Sequence, residues 1–137
     1  MFTSETFLDV RYYETDLMGI VHHSNYIRYF ECGRNDALIK LGIPITAIEA
    51  AGIMMPVVSV NCVYKIPAKN GDRLRIVSTI SEMPKAKIKI DTTIYNTADE
   101  VVCYGNVTLG FIHSDTRRPT RAPQSIVTKF QPYFNEQ

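Results

Sequence analysis

The sequence predicts an α+β domain in which one long amphipathic helix lies against about five antiparallel strands. Three observations carry that expectation. Apolar side chains recur at helical spacing after Ser24, and from residue 55 the apolar period changes to two. The connectors between the later apolar runs, PAKNGD, EMPK and TAD, are turn-forming and too short for the crossovers that parallel strands require.

Taken in order, FLDVRYY (residues 7–13) alternates as a strand, with Phe7, Asp9, Arg11 and Tyr13 on one face and Leu8, Val10 and Tyr12 on the other. A polar turn from Glu14 to Asn25 follows, with Gly19 free to take a left-handed conformation. Ser24 or Asn25 can cap the helix that comes next. At 100° per residue, Tyr26, Ile27, Phe30, Ala37, Leu38 and Leu41 form one stripe, with Arg28, Cys32, Asn35, Asp36 and Lys40 roughly opposite. Gly42-Ile43-Pro44 ends it. PITAIEAAG (44–52) reads as a short second helix. Residues 55–66, 73–82, 86–96 and 100–113 are rich in Val, Ile, Thr and Tyr and read as strands. In the third of these, Ile88, Ile90, Thr92 and Ile94 share a face and Lys87, Lys89 and Asp91 take the other. The tail reads as irregular apart from a small helix at 123–130. Apolar residues on alternate faces, such as Val57, Val63 and Tyr104, leave a surface for a second subunit to cover.

At 137 residues the chain is expected to be one domain, residues 1–137, with no repeat or linker to divide it. A net charge of +1 and the absence of nucleic-acid-binding signatures point away from nucleic acid. No run of eighteen apolar residues suits a membrane span, and MFTSETF does not read as a signal peptide. Cys32, Cys62 and Cys103 are odd in number and lack a CxxC pair, so buried, reduced thiols and a cytoplasmic location are expected.

Chemistry concentrates in YYETDLMGIVHHSNYIRYFE. Asp16 precedes a helix start, whose unpaired amides from His23 to Tyr26 carry about half a positive charge. A thioester carbonyl resting there is polarised, while an ordinary carboxylate is ionised at neutral pH and can attack or activate water. Aspartate ahead of Gly19 also suits a plain Asx turn, and spacing alone leaves both roles open. No GxSxG motif is present and no cysteine stands beside a suitable histidine, so serine and thiol triads lack support. A thiolate with a conjugate pKa near 8.5 leaves without a dedicated acid, which makes a thioester a fitting substrate and an amide a poor one. His22 and His23 offer no metal-binding spacing; they line the turn, and the His23 ring is available to touch substrate or orient water. No metal and no cofactor is called for. Tyr26 is core or pocket wall, and Glu31 with Arg34 makes an intrahelical pair. Lys85, Lys87, Lys89, Arg117, Arg118 and Arg121 suit solvent or the phosphates of a coenzyme A ester, with Lys85, Lys87 and Arg118 as the candidates for phosphate.

These residues, with YKIPAKNGDRLRI further on, resemble the hot-dog-fold acyl-CoA thioesterases over residues 7–121. The pattern TD-x-x-G-x-V-x-H-x-x-Y is most similar to the 4-hydroxybenzoyl-CoA thioesterase group, including its Tol–Pal-associated branch. The resemblance implies a hot-dog fold, an antiparallel sheet wrapped around a central helix. It also implies hydrolysis of an acyl-CoA, and homodimers, often paired into homotetramers, with sites at the shared interface. It puts the catalytic aspartate at Asp16 and the polarising helix-start amide at His23. Gly19, His22, Ser24 and Tyr26 then border the substrate. Leu17 and Met18 stand where small residues or proline are usual, and His22 stands where an aromatic is usual; all three are expected to line the acyl pocket. The alternatives are a hot-dog dehydratase for β-hydroxyacyl thioesters, using His23 and Glu31, and a non-catalytic acyl-CoA-binding module.

Overall fold

A computed structural model describes residues 1–134. In chain order the elements are β1 (Phe2–Asp9), a single 3-10 turn (Tyr12–Glu14), α1 (Ser24–Lys40), α2 (Ile45–Ala50), β2 (Ile53–Met54), β3 (Val57–Tyr64), β4 (Arg73–Ile80), β5 (Lys87–Tyr95), β6 (Val101–Gly110), β7 (Ile112–His113) and α3 (Gln124–Phe134). Five strands form one antiparallel sheet in the order β1-β4-β5-β6-β3, and β2 and β7 make a small pair beside it. The α+β expectation of one long helix on five antiparallel strands holds. Among the described residues no helix is long and apolar enough to cross a membrane.

The sheet's inner face is set by strand periodicity. Leu74, Ile76, Ser78 and Ile80 on β4 are buried, as are Ile88, Ile90, Thr92 and Ile94 on β5. Against them α1 buries Tyr26, Tyr29, Phe30, Gly33, Ala37 and Leu38. The predicted stripe needs adjustment: Tyr29 and Gly33 belong to it, and Ile27 faces solvent. Gly33 is there because nothing larger fits. A Cβ at that position would stand 2.6 Å from Ile76 Cγ2 and 2.7 Å from Ser78 Oγ. The end of α1 is a Schellman turn, in which Gly42 takes φ +82°, the Gly42 amide donates to Ile39 O (3.0 Å) and the Ile43 amide to Leu38 O (2.9 Å).

Four expectations are corrected. The first strand runs over Phe2–Asp9 and not 7–13. Its earlier half was disguised because the inward positions carry Phe2, Ser4 and Thr6, only one of them apolar, and Ser4 is buried under α1, its hydroxyl 3.5 Å from Asp36 Oδ2. Tyr12 and Tyr13 leave the strand for the 3-10 turn and stand in solvent. The predicted 100–113 strand breaks after Gly110 into β6 and β7. The tail helix is longer than expected, Gln124–Phe134, and Ile126 and Phe130 join the core. Of the three thiols, Cys103 is buried, Cys62 partly so, and Cys32 is exposed on the outer side of α1. The Glu31–Arg34 pair is present at 3.8 Å.

One buried acid ties the incoming chain to the helix. Glu14 is 6% exposed. Its carboxylate accepts from the Arg11 amide (2.9 Å), from Arg11 Nη2 (2.7 Å) and Nε (3.2 Å), and from the Tyr29 hydroxyl (2.9 Å). Burial by itself raises the Glu14 pKa, but the bonds from Arg11 and Tyr29 and the guanidinium charge outweigh it and hold the carboxyl below its ordinary range. Burial, reinforced by that carboxylate, pushes the Tyr29 phenol upward, so it remains a donor.

Two outcomes follow for stability. Gly33→Ala should lower the urea midpoint, because overpacking costs about 1–3 kcal/mol and the return in helix propensity is about 1 kcal/mol. A folded-state pKa below the unfolded one makes the Glu14 contribution complete above the ordinary carboxylate range and lost as pH falls through the folded value. Acid titrations of unfolding free energy should therefore fall more steeply in the wild type than in Glu14→Gln.

Candidate functional site

The turn between Glu14 and α1 is closed by its own backbone. Thr15 pairs antiparallel with Val21, the Asp16 amide donates to Ile20 O (2.8 Å), and the Gly19 amide donates to Asp16 O (3.0 Å). Gly19 sits at φ +80°, which a side chain would make costly. The turn is also bound sideways to the segment before β4. The Val21 amide donates to Ala68 O (2.8 Å), Ile20 bridges Lys69, and the Ala68 amide donates to the Tyr26 hydroxyl (3.1 Å). Both ends of Tyr26 are thereby fixed, its backbone in α1 and its hydroxyl against the PAKNGD loop.

The start of α1 presents one free donor where four were expected. The Asn25 and Tyr26 amides donate to His22 O (2.9 Å) and His23 O (3.3 Å). The Ser24 amide is capped by His22 Nδ1 at 3.3 Å, and the same nitrogen lies 2.9 Å from Ser24 Oγ. The cap is thus supplied by the His22 ring, correcting the expectation for Ser24 or Asn25. The Asn25 side chain turns inward and donates to Glu14 O (2.9 Å), an oxygen that also accepts the His22 amide (2.9 Å). Among the described residues the His23 amide meets no acceptor. The helix dipole is concentrated on that one N–H.

His23 opens onto a cleft of about 280 Å³ lined by Ile20, Val21, His23, Tyr26, Tyr64, Lys65, Ile66 and Pro67. Its walls are aromatic: the Tyr64 ring lies 5.4 Å from that of Tyr26 and 6.5 Å from that of His23, and His22 stacks on His23 at 4.3 Å. His23 and Tyr26 both line this cleft. Asp16 is half-buried, and its Oδ1 accepts the Met18 amide at 2.8 Å, the Asx turn that spacing allowed. Asp16, Leu17 and Met18 are not among the lining residues of this chain's own cleft, and Leu17 and Met18 project into solvent. Glu31 is exposed on α1, paired with the half-buried Arg34, and does not line the cleft.

The candidate phosphate ligands sit elsewhere in one protomer. Lys85 and Lys87 border a groove of about 530 Å³ with Lys89, Met83 and Phe134. Lys87 also borders a smaller groove beside Pro119, the residue after Arg118. Lys87 pairs with Gly110 and Tyr64 with Cys103, so the two regions are at opposite ends of β6, roughly 20 Å apart at strand spacing. Tyr64 and Lys65 head the YKIPAKNGDRLRI segment but were given no site role; the end of β3 brings both to the cleft. Sequence reasoning also missed Glu14, whose burial no local pattern signals.

Residues 10–130 match the thioesterase-like superfamily. YneP of Bacillus subtilis (strain 168), a candidate acyl-CoA thioesterase by name, is 37% identical over 101 residues, covering 74% of this chain and 73% of that protein. The acyl-CoA thioester hydrolase YbgC of Escherichia coli O157:H7 is 25% identical over 122 residues, covering 89% of this chain and 91% of that one. A DHNA-CoA thioesterase from Staphylococcus aureus superposes with a TM-score of 0.88 at 29% identity, covering 98% of this chain and 95% of that one. With the family model matched over residues 10–130 and the fold shared along nearly its whole length, the chain belongs to the thioesterase-like superfamily.

Proposed function

We propose that this protein hydrolyses acyl-CoA thioesters, with Asp16 as the reacting carboxylate and the His23 amide as the donor to the carbonyl oxygen. Its superfamily and its relatives make it a thioester hydrolase. The observation that carries the finer reading is the His23 amide at the start of α1, which meets no acceptor among the described residues and is held on the same closed turn as Asp16. In the nucleophilic route an Asp16 oxygen bonds to the carbonyl carbon, the carbonyl oxygen becomes an oxyanion at the His23 N–H, and the carbon–sulfur bond breaks to release thiolate. Water then cleaves the resulting anhydride. In the general-base route Asp16 takes a proton from water, which attacks directly. Loss of one donor of this kind in other acyl-transfer sites costs about 2.7–4 kcal/mol. We assign the chain to the 4-hydroxybenzoyl-CoA thioesterase group and its Tol–Pal-associated branch on the Asp16, Gly19, His23 and Tyr26 pattern. The dehydratase alternative loses its acid, since Glu31 is paired with Arg34 away from the cleft.

The working site is read as lying between two copies. β3 is an edge strand whose Val57, Val58, Val60, Val63 and Tyr64 are all exposed, an unusual apolar edge for a protein that stays monomeric. Antiparallel pairing of two such edges brings the start of one β3 beside the end of the other. That arrangement carries the partner's Lys87 end toward this chain's Tyr64 and His23, which reconciles the distant lysines with a phosphate role. On this reading the partner completes the site around Asp16, Leu17 and Met18, which do not line one copy's own cleft. Homodimers, or homotetramers made from them, follow.

Asp16→Asn should keep its far-ultraviolet spectrum and lose about 10²–10⁴-fold in kcat, read by free-thiol release over aliphatic and aromatic acyl-CoA esters. Wild-type turnover in that variant would falsify the assignment. Single turnover in heavy-oxygen water separates the routes, because only the anhydride route leaves label on Asp16. Val60→Lys, which puts a charge on the bare edge, should shift the protein to monomer in sedimentation and abolish hydrolysis with it.

A further inference from the structure

Glu14 is a buried carboxylate that the reaction above does not consume. Its placement is costly. A buried ion pair is weak evidence for stability, because desolvation offsets most of the attraction between the charges. The bonds it makes converge on the geometry of the turn. The carboxylate grips the entering chain at the Arg11 amide and grips α1 at the Tyr29 hydroxyl. The carbonyl of the same residue receives the returning chain at the His22 amide and the first turn of α1 at the Asn25 carboxamide. Both limbs of the loop that bears Asp16 therefore start from one residue. The His22 amide is taken by Glu14, and the next N–H along, that of His23, a residue lining the cleft, meets no acceptor among the described residues.

We infer that Glu14 is a positioning residue for hydrolysis: with Tyr29 and Asn25 it holds the His23 amide in register with Asp16. The inference rests on the thioesterase reading of this turn. An apolar residue of similar volume would fill the space and strand the Tyr29 hydroxyl and the Arg11 amide without acceptors, and the turn would lose its common anchor. Preorganised donors contribute to rate because they need no rearrangement as charge develops, and a displacement of about 1 Å in such a site lowers rate by about 10²-fold.

The experiment compares Glu14→Gln and Tyr29→Phe with the wild type and with Asp16→Asn, using whichever acyl-CoA ester the wild type turns over fastest. Rates are taken per folded molecule, well below each variant's Tm. Glu14→Gln should lose about 10- to 100-fold in kcat with KM within about twofold, since substrate contacts are intact and only transition-state alignment is lost. Tyr29→Phe keeps the ring and removes a single bond, so it should show the same split at smaller size and should fold even if Glu14→Gln does not. In nitrogen-15 spectra the His23 amide resonance should move in both variants. A lowered Tm with wild-type kcat per folded molecule in both would reduce Glu14 to a stability role and overturn the inference while leaving an inactive Asp16→Asn to uphold the site. An active Asp16→Asn would remove the site reading itself, and the inference with it.

Discussion

The seating of α1 on β4 is the constraint on which the rest depends. A glycine at position 33 lets the helix backbone press so close that a methyl group would overlap Ile76 and Ser78. That contact fixes the helix axis, and the axis fixes where the N-terminus points. Everything chemical in the protein is a consequence of that direction: the dipole ends at His23, and the preceding turn hangs from it. A helix seated even one side chain further out would carry the same residues and aim them elsewhere.

The turn solves a problem of surplus donors. A helix start offers four unpaired amides, and in open water each would be hydrated. Here the first-turn donors at 25 and 26 bend back to the carbonyls of His22 and His23, and the Ser24 amide is taken by an imidazole nitrogen. What is left is the His23 N–H, the donor that the proposed reaction would set against the developing oxyanion. A thioester suits so spare a site, because its leaving thiolate requires no proton. The Glu14 bonds to Arg11, Tyr29, His22 and Asn25 are what would stiffen such a minimal arrangement.

Much of this was legible in the amino-acid order. The period of two in 86–96 gave the inward Ile88, Ile90, Thr92 and Ile94, and the Gly42-Ile43-Pro44 stop marked the end of α1. What escaped was governed by contacts distant in sequence. Ser4 is inward because α1 covers it, which no window around residue 4 reveals. Gly33 shows its purpose only with β4 placed against it. His22 took the capping role because α1 begins at Ser24, whose own amide a ring two residues upstream can reach. Tyr64 and Lys65 entered the cleft through the pairing of β3 with β6, and Glu14 became a hub only once Tyr29 was swung beneath it.

The valine-rich outer strand has a further meaning. Until another chain lies along it, its free amides and carbonyls can template any extended polypeptide, its own siblings in the wrong register included. For the proposed dimer the lone subunit is the species most prone to aggregate, and fast, correct self-pairing would be a form of protection. Expression level would act in both directions: too little protein leaves bare edges exposed for longer, while crowding of nascent chains raises the chance of misregistered ones.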